Sequence, residues 1–340
     1  MQKNTPSISV AMATYNGEKY LSEQLQSLAE QTHLPHELVV GDDGSKDGTL
    51  GIIEEFRAYA PFPVHIHRNK TNLGFANNFL TTAKRCRGDW VAFCDQDDVW
   101  LENRLEDCLS EISTNSNVLL ILQNAWVCDL NLQPYDELLS SKSKPGRYGP
   151  RSHYAFWVWP GFMQTINASL LRFSEVQRPR NFSPKFEYQA HDVWTCMLAN
   201  SLGGISLLGA KAALYRRHPT AITNHTSKRS LKEKIRISLE VSSNHHYFLS
   251  QVAVSSAQYL DKIAPLANQK SWQNNLTIAA QEFRVVGRIQ DLRGQLHSRK
   301  GRLSSLQNIF NICKLGGYFG SPFSARGIKS LARDIYGALM

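Results

Sequence analysis

The chain has 340 residues and a formal net charge of +9, with 42% hydrophobic and 20% charged residues. These fractions are typical of globular proteins and exclude a disordered chain. No run of 18 apolar residues and no apolar leader segment is present, so we expect neither a membrane-spanning helix nor a secretory signal. The six cysteines form no Cys-x-x-Cys pair, which indicates reduced thiols in a cytoplasmic protein.

The positive charge is concentrated in the C-terminal third of the chain. Residues 229–340 contain 16 Lys and Arg against 6 Asp and Glu, so residues 1–228 are close to neutral. We therefore predict a main domain over 1–228 and a basic, mainly helical region over 229–340. Such a basic region is typical of segments that meet an anionic surface or an acidic partner.

The first ninety residues alternate between strand and helix patterns. Three β-rich segments alternate with three helical patterns: 7–13, 37–41 and 64–67, with helices near Leu21, Leu50 and Phe75. This alternation, at about 25 residues per unit, predicts a parallel sheet with right-handed crossovers. The expected fold class is α/β, with a doubly wound and mostly parallel sheet.

The next predicted strand, residues 90–94, runs directly into Asp95, Asp97 and Asp98. Its apolar run is typical of a strand buried on both faces, and ligands of open α/β sheets bind at the carboxyl edge. Three neighbouring carboxylates repel one another, which favours a hard cation with oxygen ligands, Mg²⁺ or Mn²⁺. The alternative is a solvated turn in which Asp98 caps the following helix.

Beyond residue 117 the alternation weakens. We expect a strand at 118–122, a surface loop at 133–152, β-like runs at 205–208 and 212–215, and helices from Ser230 onward. The aromatic segment 156–162 fits either the core or a platform on which a sugar ring stacks. Asp192 opens a helix, and on the residues alone an acid that interacts with the helix dipole is the better interpretation.

Taken together, residues 7–220 resemble the family 2 glycosyltransferases, which have the GT-A fold. The family motifs occur in order: Thr14, Tyr15 and Asn16; Asp42 to Thr49; Asn72, Gly74 and Asn78; Asp95 and Asp97; His191, Asp192 and Trp194; and Tyr215, Arg216 and His218. The last group resembles the bacterial rhamnosyltransferase branch. The small polar run that usually follows its histidine is replaced by residues 219–222 of this chain.

The resemblance implies a site for a nucleotide-diphospho-sugar. It implies these donor-binding residues: Thr14, Tyr15, Asn16, Asp42, Asp43, Asn72, Asp95 and His218. Asp95, Asp97 and His218 would hold the cation that stabilises the leaving diphosphate. Asp192 would be the general base, and its single displacement would invert the anomeric carbon. A lone histidine is more often structural, and only its place in the Tyr215–His218 motif favours a site role for His218.

We predict an inverting, metal-dependent glycosyltransferase that moves a deoxyhexose such as rhamnose from a dTDP-sugar to a surface-polysaccharide or lipid-linked acceptor. UDP-hexose and UDP-N-acetylhexosamine donors are the alternative on the same scaffold. A nucleotidyltransferase would be expected to place a glycine-rich basic loop after the first strand, which this chain lacks. A non-catalytic sugar-nucleotide-binding protein would be expected to have lost the acids.

The pattern of the C-terminal segment predicts contact with the inner face of a membrane. Its apolar stripe consists of Ile328, Leu331, Ile335 and Leu339, and the basic residues nearby are Arg326, Lys329 and Arg333. The alternative is that the stripe packs on the main domain or on a second subunit of a homodimer. We expect a cytoplasmic, peripheral protein that does not bind nucleic acid.

Overall fold

A computed structural model of the chain describes residues 5–138, 144–183, 186–219, 242–298 and 302–339. The strands are β1 (Ile8–Thr14), β2 (Glu37–Asp42), β3 (Val64–Arg68), β4 (Trp90–Cys94), β5 (Val99–Trp100), β6 (Leu120–Cys128), β7 (Pro134–Glu137), β8 (Gly146–Tyr148), β9 (Gln164–Asn167) and β10 (Ile205–Arg216). The α-helices are α1 (Leu21–Ala29), α2 (Thr49–Tyr59), α3 (Phe75–Ala83), α4 (Arg104–Thr114), α5 (His191–Leu202), α6 (Ser243–Ile263), α7 (Lys270–Leu296), α8 (Arg302–Lys314) and α9 (Gly327–Leu339).

The strands form one sheet in the order β3-β2-β1-β4-β9-β6-β10-β5, with β7 paired to β6 and β8 to β10. The half from β3 to β4 is parallel throughout, as the sequence predicts. In the other half β10 is parallel to β6, whereas β9 lies antiparallel between β4 and β6. The α/β class is confirmed, and the sheet is mixed beyond β4.

The parallel half is built from segments that are apolar on both faces. All five residues of β4 are buried, as are Val10, Ala11 and Met12 of β1. Helix α1 covers the sheet with Leu21, Leu25 and Leu28, which share one buried face. Burial on both faces explains why these strands are recognisable as unbroken apolar runs.

Two sequence expectations differ from the structure. The predicted surface loop at 133–152 contains β7 and β8, which are short antiparallel strands with mostly exposed residues. The two β-like runs near 205 and 215 are one strand, β10, whose register against β6 shifts around Lys211. Neither feature has the alternating apolar pattern that identifies a half-buried strand.

Helices α6 and α7 extend the core of the sheet domain. The indole Nε1 of Trp194 on α5 donates to the hydroxyl of Tyr259 on α6 at 2.8 Å, and that hydroxyl donates to the carbonyl of Phe173 at 2.7 Å. Phe283 of α7 belongs to the same buried cluster as the strands. The predicted boundary at 228/229 and the start of the helical region near Ser230 lie outside the described residues, so the boundary remains a prediction.

A second, smaller cluster attaches α8 and α9 to α7. Ile312 of α8 and Leu292 of α7 are buried in it, and Leu331 of α9 packs against it. Ile328 and Ile335, in contrast, are exposed. The predicted stripe is therefore divided, with Leu331 turned inward, and the side chain of Leu339 is outside the described part.

Candidate active site

Strands β1 and β2 bring the first two motifs together at the carboxyl edge of the sheet, where Thr14 pairs with Asp42. The carboxylate of Asp42 is fully buried and accepts hydrogen bonds from the backbone N–H groups of Gly44 (3.1 Å) and Ser45 (3.0 Å) and from the Thr14 hydroxyl (3.2 Å). Asp42 thereby shapes the turn after β2. A direct contact between Asp42 and a donor stays a prediction.

Asp43 and Asn72 hold the loop that leads into α3. The Asp43 carboxylate accepts hydrogen bonds from the N–H groups of Leu73 (2.7 Å) and Gly74 (2.9 Å), and the Asn72 amide donates to the Asp43 carbonyl at 3.2 Å. Gly74 has a positive φ of 74°, which favours glycine at this turn. The structure thus places both predicted donor residues in one hydrogen-bonded loop beside the sheet edge.

The loop after β1 is joined to the acidic segment by a residue that the sequence interpretation missed. The Gln96 amide accepts a hydrogen bond from the Tyr15 N–H at 2.9 Å and donates one to the Tyr15 carbonyl at 3.1 Å. A Cβ atom at Gly17 would lie 2.3 Å from the same amide, so a side chain at position 17 would displace Gln96 from this position. Asn16 adopts a φ of 49°, and the Tyr15 side chain is half exposed.

The acidic segment gathers its three carboxylates at the end of β4. One oxygen from each of Asp95, Asp97 and Asp98 lies within 4.8 Å of the others. Burial, together with the negative charges of Asp97 and Asp192, raises the pKa of Asp95 to about 8. A carboxyl that is hard to ionise without a counter-charge is typical of a cation-binding position.

Asp98 does not cap α4. Its side chain is buried, and Oδ1 accepts a hydrogen bond from the backbone N–H of Arg216 at 3.1 Å. The residue before α4 is Asn103. Burial raises the pKa of Asp98, and the charges of Asp97 and Asp95 add to that effect. The alternative of a solvated capping turn is therefore wrong.

The end of β10 closes against the acidic segment. Arg216 donates from Nε to the carbonyl of Asp97 at 3.1 Å, and its guanidinium forms an ion pair with Glu23 of α1. Nε2 of His218 lies 2.9 Å from Oδ2 of Asp97. His218 therefore reaches the predicted metal site, and its role as a ligand stays a prediction.

A buried positive charge lies behind the acids. The Arg104 guanidinium packs over the Trp100 ring at 3.6 Å and donates to the carbonyl of Phe162. Burial lowers the pKa of Arg104 to about 10, so the group remains charged at neutral pH. Its charge acts on both Asp95 and Asp98 and partly offsets their mutual repulsion.

Asp192 lies in the first turn of α5, close enough to Asp95 for its charge to act on that carboxyl. Its Oδ1 accepts a hydrogen bond from the Val193 N–H at 2.8 Å, as expected for an acid at a helix N-terminus. Burial raises the pKa of Asp192, and the Asp192 charge in turn raises that of Asp95. The first-turn interpretation is thus supported, and the charge of the same side chain also acts on the acidic segment.

The aromatic segment at 156–162 is divided between two environments. Trp159 is buried and donates from Nε1 to the Gln123 carbonyl at 2.9 Å, and Phe162 is buried against the ring of Tyr215. Trp157 is only half buried and stacks on His153 at 4.1 Å between ring centres. Core packing therefore accounts for Trp159 and Phe162.

Comparisons with known proteins identify a family and several relatives. Residues 9–168 match the sequence model of the family described as "Glycosyl transferase family 2". The dTDP-rhamnosyl transferase RfbG of Shigella flexneri is 37% identical over 113 residues, which cover 31% of this chain and 38% of that protein. The UDP-Gal:alpha-D-GlcNAc-diphosphoundecaprenol beta-1,3-galactosyltransferase of Escherichia coli is 25% identical over 253 residues, which cover 73% of this chain and 86% of that protein.

Among solved structures, S. aureus TarS 1-349 superposes with a TM-score of 0.53 at 18% identity, covering 98% of this chain and 89% of that one. The fold is that of the GT-A enzymes, as predicted. The match to the glycosyl transferase family 2 model covers residues 9–168, slightly less than half of the chain. The chain spans less than two fifths of the length of RfbG and of EpsE of Bacillus subtilis, with 38% and 36% covered.

Proposed function

We propose that this protein is a glycosyltransferase that moves a sugar from a nucleotide-diphospho-sugar to an acceptor hydroxyl. The observation that carries the proposal is the cluster of Asp95 and Asp97 at the carboxyl end of β4, with Asp192 near enough for its charge to act on Asp95. This edge is where parallel α/β sheets bind nucleotides. The family of residues 9–168 supports the same activity.

The acids fit a divalent cation, Mg²⁺ or Mn²⁺. Their oxygens converge, burial disfavours the charges of Asp95 and Asp98, and Oδ2 of Asp98 is buried with no hydrogen-bond partner among the described residues. Asp95 and Asp97 would hold the ion, with His218 beside them. A bound cation would supply positive charge that stabilises the leaving diphosphate. Arg104 keeps the carboxylates in place by partly offsetting their repulsion.

Asp192 is the proposed general base. Its carboxylate would remove the proton from the acceptor hydroxyl as that oxygen attacks the anomeric carbon, and a single displacement of this kind inverts the configuration. The raised pKa makes Asp192 a stronger base than an exposed aspartate, which suits proton transfer near neutral pH. The hydrogen bond from Val193 fixes the orientation of the carboxylate.

We propose dTDP-rhamnose as the donor. The motif Tyr215 to His218 and the likeness to RfbG, whose name is dTDP-rhamnosyl transferase, support this choice. A UDP-sugar is the second candidate, because the relative that covers 73% of this chain is named as a UDP-Gal-dependent enzyme. TarS, which shares the fold, has been crystallised with UDP-GlcNAc.

The proposed acceptor is a lipid-linked glycan or a growing surface polysaccharide. The name of the Escherichia coli relative, which contains a diphosphoundecaprenol acceptor, supports the lipid-linked form. We accordingly propose a cytoplasmic enzyme that works at the inner face of the membrane. No helix among the described residues is both long and apolar enough to cross a bilayer.

A screen of nucleotide sugars tests the proposed activity. The full-length protein would be incubated with dTDP-rhamnose, UDP-galactose and UDP-GlcNAc, each with Mn²⁺, Mg²⁺ or a chelator, and thermal shift and donor hydrolysis would be measured. We expect one donor to raise the melting temperature only when a metal is present. Hydrolysis that is unaffected by the chelator would refute the metal role, and no response to any donor would count against the activity.

A further inference from the structure

The segment from α8 to α9 exposes an unusual share of apolar surface. Seven of the eighteen large apolar side chains that are exposed in the described part of the chain lie between residues 302 and 339. Three of them, Leu303, Leu306 and Phe310, are on α8, with exposed fractions of 85%, 58% and 53%. Scattered exposed apolar residues are ordinary, but a contiguous group marks an interaction site.

These three residues share one face of α8. At about 100° per residue, Leu303, Leu306, Phe310 and Lys314 fall within about 80° of the helix circumference. We call these four residues the outer face of α8. On the opposite side, Ile312 is buried against α7. The helix is therefore fixed to the protein through one face, while the apolar side chains of the outer face are exposed.

The positive charge around this face favours an anionic partner. Residues 302–339 contain five Lys and Arg but a single acid, Asp334. Asp334 is fully buried and paired with Arg293 at 2.9 Å, so it offers no negative charge at the surface. The Lys314 ammonium lies 4.6 Å from the centre of the Phe310 ring, at the edge of the apolar face.

We propose that the outer face of α8 lies on an anionic membrane surface. A second copy of the chain would place basic residues against basic residues, because a two-fold contact pairs a surface with itself. An anionic bilayer instead offers an apolar phase for Leu303, Leu306 and Phe310 and opposite charge for Lys314. A helix of 13 residues is about 20 Å long, which suits a position in the plane of the interface.

This inference rests on the proposed function. It adds the surface through which the enzyme would approach a lipid-linked acceptor. The proposed surface differs from the apolar stripe that the sequence predicts, because Leu331 of that stripe packs inward. The side chains that would contact the membrane interior come from α8 instead. The residues that form this surface all lie in the C-terminal helices, apart from the acidic cluster.

Vesicle binding of the full-length protein tests the inference. Co-sedimentation would be measured with vesicles of phosphatidylglycerol and phosphatidylcholine (3:7) and with pure phosphatidylcholine. We expect binding to the anionic vesicles, at least tenfold weaker binding to the neutral ones, and a loss of at least tenfold in a triple variant, Leu303→Ser with Leu306→Ser and Phe310→Ser. Lys314→Glu should weaken binding by at least about fivefold.

A matched control replaces three exposed apolar residues elsewhere, Tyr59→Ser with Leu266→Ser and Ile278→Ser, and should bind like the unchanged protein. Equal vesicle binding of the outer-face variant and the control would overturn the proposal. So would negligible binding of the unchanged protein, or a dimer that the outer-face variant dissociates. The thermal shift produced by nucleotide and Mn²⁺ is measured in parallel, so failure of the donor site is distinguished from failure of the membrane surface.

Discussion

Gln96 connects the acidic segment to the loop after β1, and its removal should weaken nucleotide binding. Gln96→Ala removes two hydrogen bonds to the peptide of Tyr15, of 2.9 and 3.1 Å. Each such bond contributes about 0.5–1.5 kcal/mol net. Because Tyr15 is half exposed, hydrogen bonds to water can replace part of this free energy. We therefore expect a total loss of about 1–2 kcal/mol. In the variant the nucleotide would have to re-order the loop that these bonds hold in place, and a cost of this size corresponds to roughly 5- to 30-fold weaker binding.

Isothermal titration calorimetry with dTDP and with UDP, each in the presence of Mn²⁺, measures this effect. Gln26→Ala, on the exposed side of α1, is the control and should leave the dissociation constant unchanged. The melting temperature without ligand should differ little between the two variants, since the Gln96 bonds are at the surface. A Gln96→Ala protein that binds nucleotide as tightly as the unchanged protein would refute the coupling between the two segments.

Three further changes test the acids. Asp97→Asn should abolish the Mn²⁺-dependent thermal shift and lower turnover by at least about a hundredfold, and a normal shift would contradict the metal role. Asp192→Asn should lower turnover by roughly two to four powers of ten with nucleotide affinity preserved, as kinetics and calorimetry would show; a collapse of affinity instead would indicate a donor ligand. Asp334→Ala should destabilise the protein by about 3–5 kcal/mol at pH 7 in chemical denaturation, because it leaves the buried Arg293 unpaired.

The pH dependence of stability gives a second readout for Asp334. Burial on its own raises the pKa of this carboxyl, but the hydrogen bond from His297 and the charge of Arg293 outweigh it and hold the pKa well below the ordinary value of 3.8. The stabilisation is therefore present above pH 4 and is lost as the pH falls below it. Asp334→Ala should be less sensitive to acid over that range, and an unchanged acid dependence would contradict the assignment.

The sequence predicts those helices and strands whose own residues show a clear apolar pattern. The strand at 90–94 has the predicted bounds, and α3 and α5 begin at Phe75 and His191, as the patterns indicate. β9 was not predicted. It has four residues, and its strand conformation comes from pairing with β4 and β6 rather than from an alternating pattern of its own.

The same distinction holds in the site. Asp95 and Asp97 are found from the sequence because they are adjacent in one motif. Gln96 stands between them but acts on Tyr15, 81 residues away, and Arg216 acts on Asp98, 118 residues away. A single sequence contains no information about such distant partners. Arg104 was missed for a related reason, since an arginine at the start of a helix is ordinarily a surface residue.

The closure of β10 on the acidic segment limits how far the chain can be shortened. The family match ends at residue 168, yet Asp192, Arg216 and His218 all come later. A fragment cut at the end of the match would keep Asp95, Asp97 and Asp98 but lose Asp192, the proposed base, and the strand that closes against the acidic segment. A fragment ending after β10 would still expose Trp194, whose indole is bonded to α6. The smallest piece suited to recombinant production therefore extends through α7, and during synthesis on the ribosome the site is completed late.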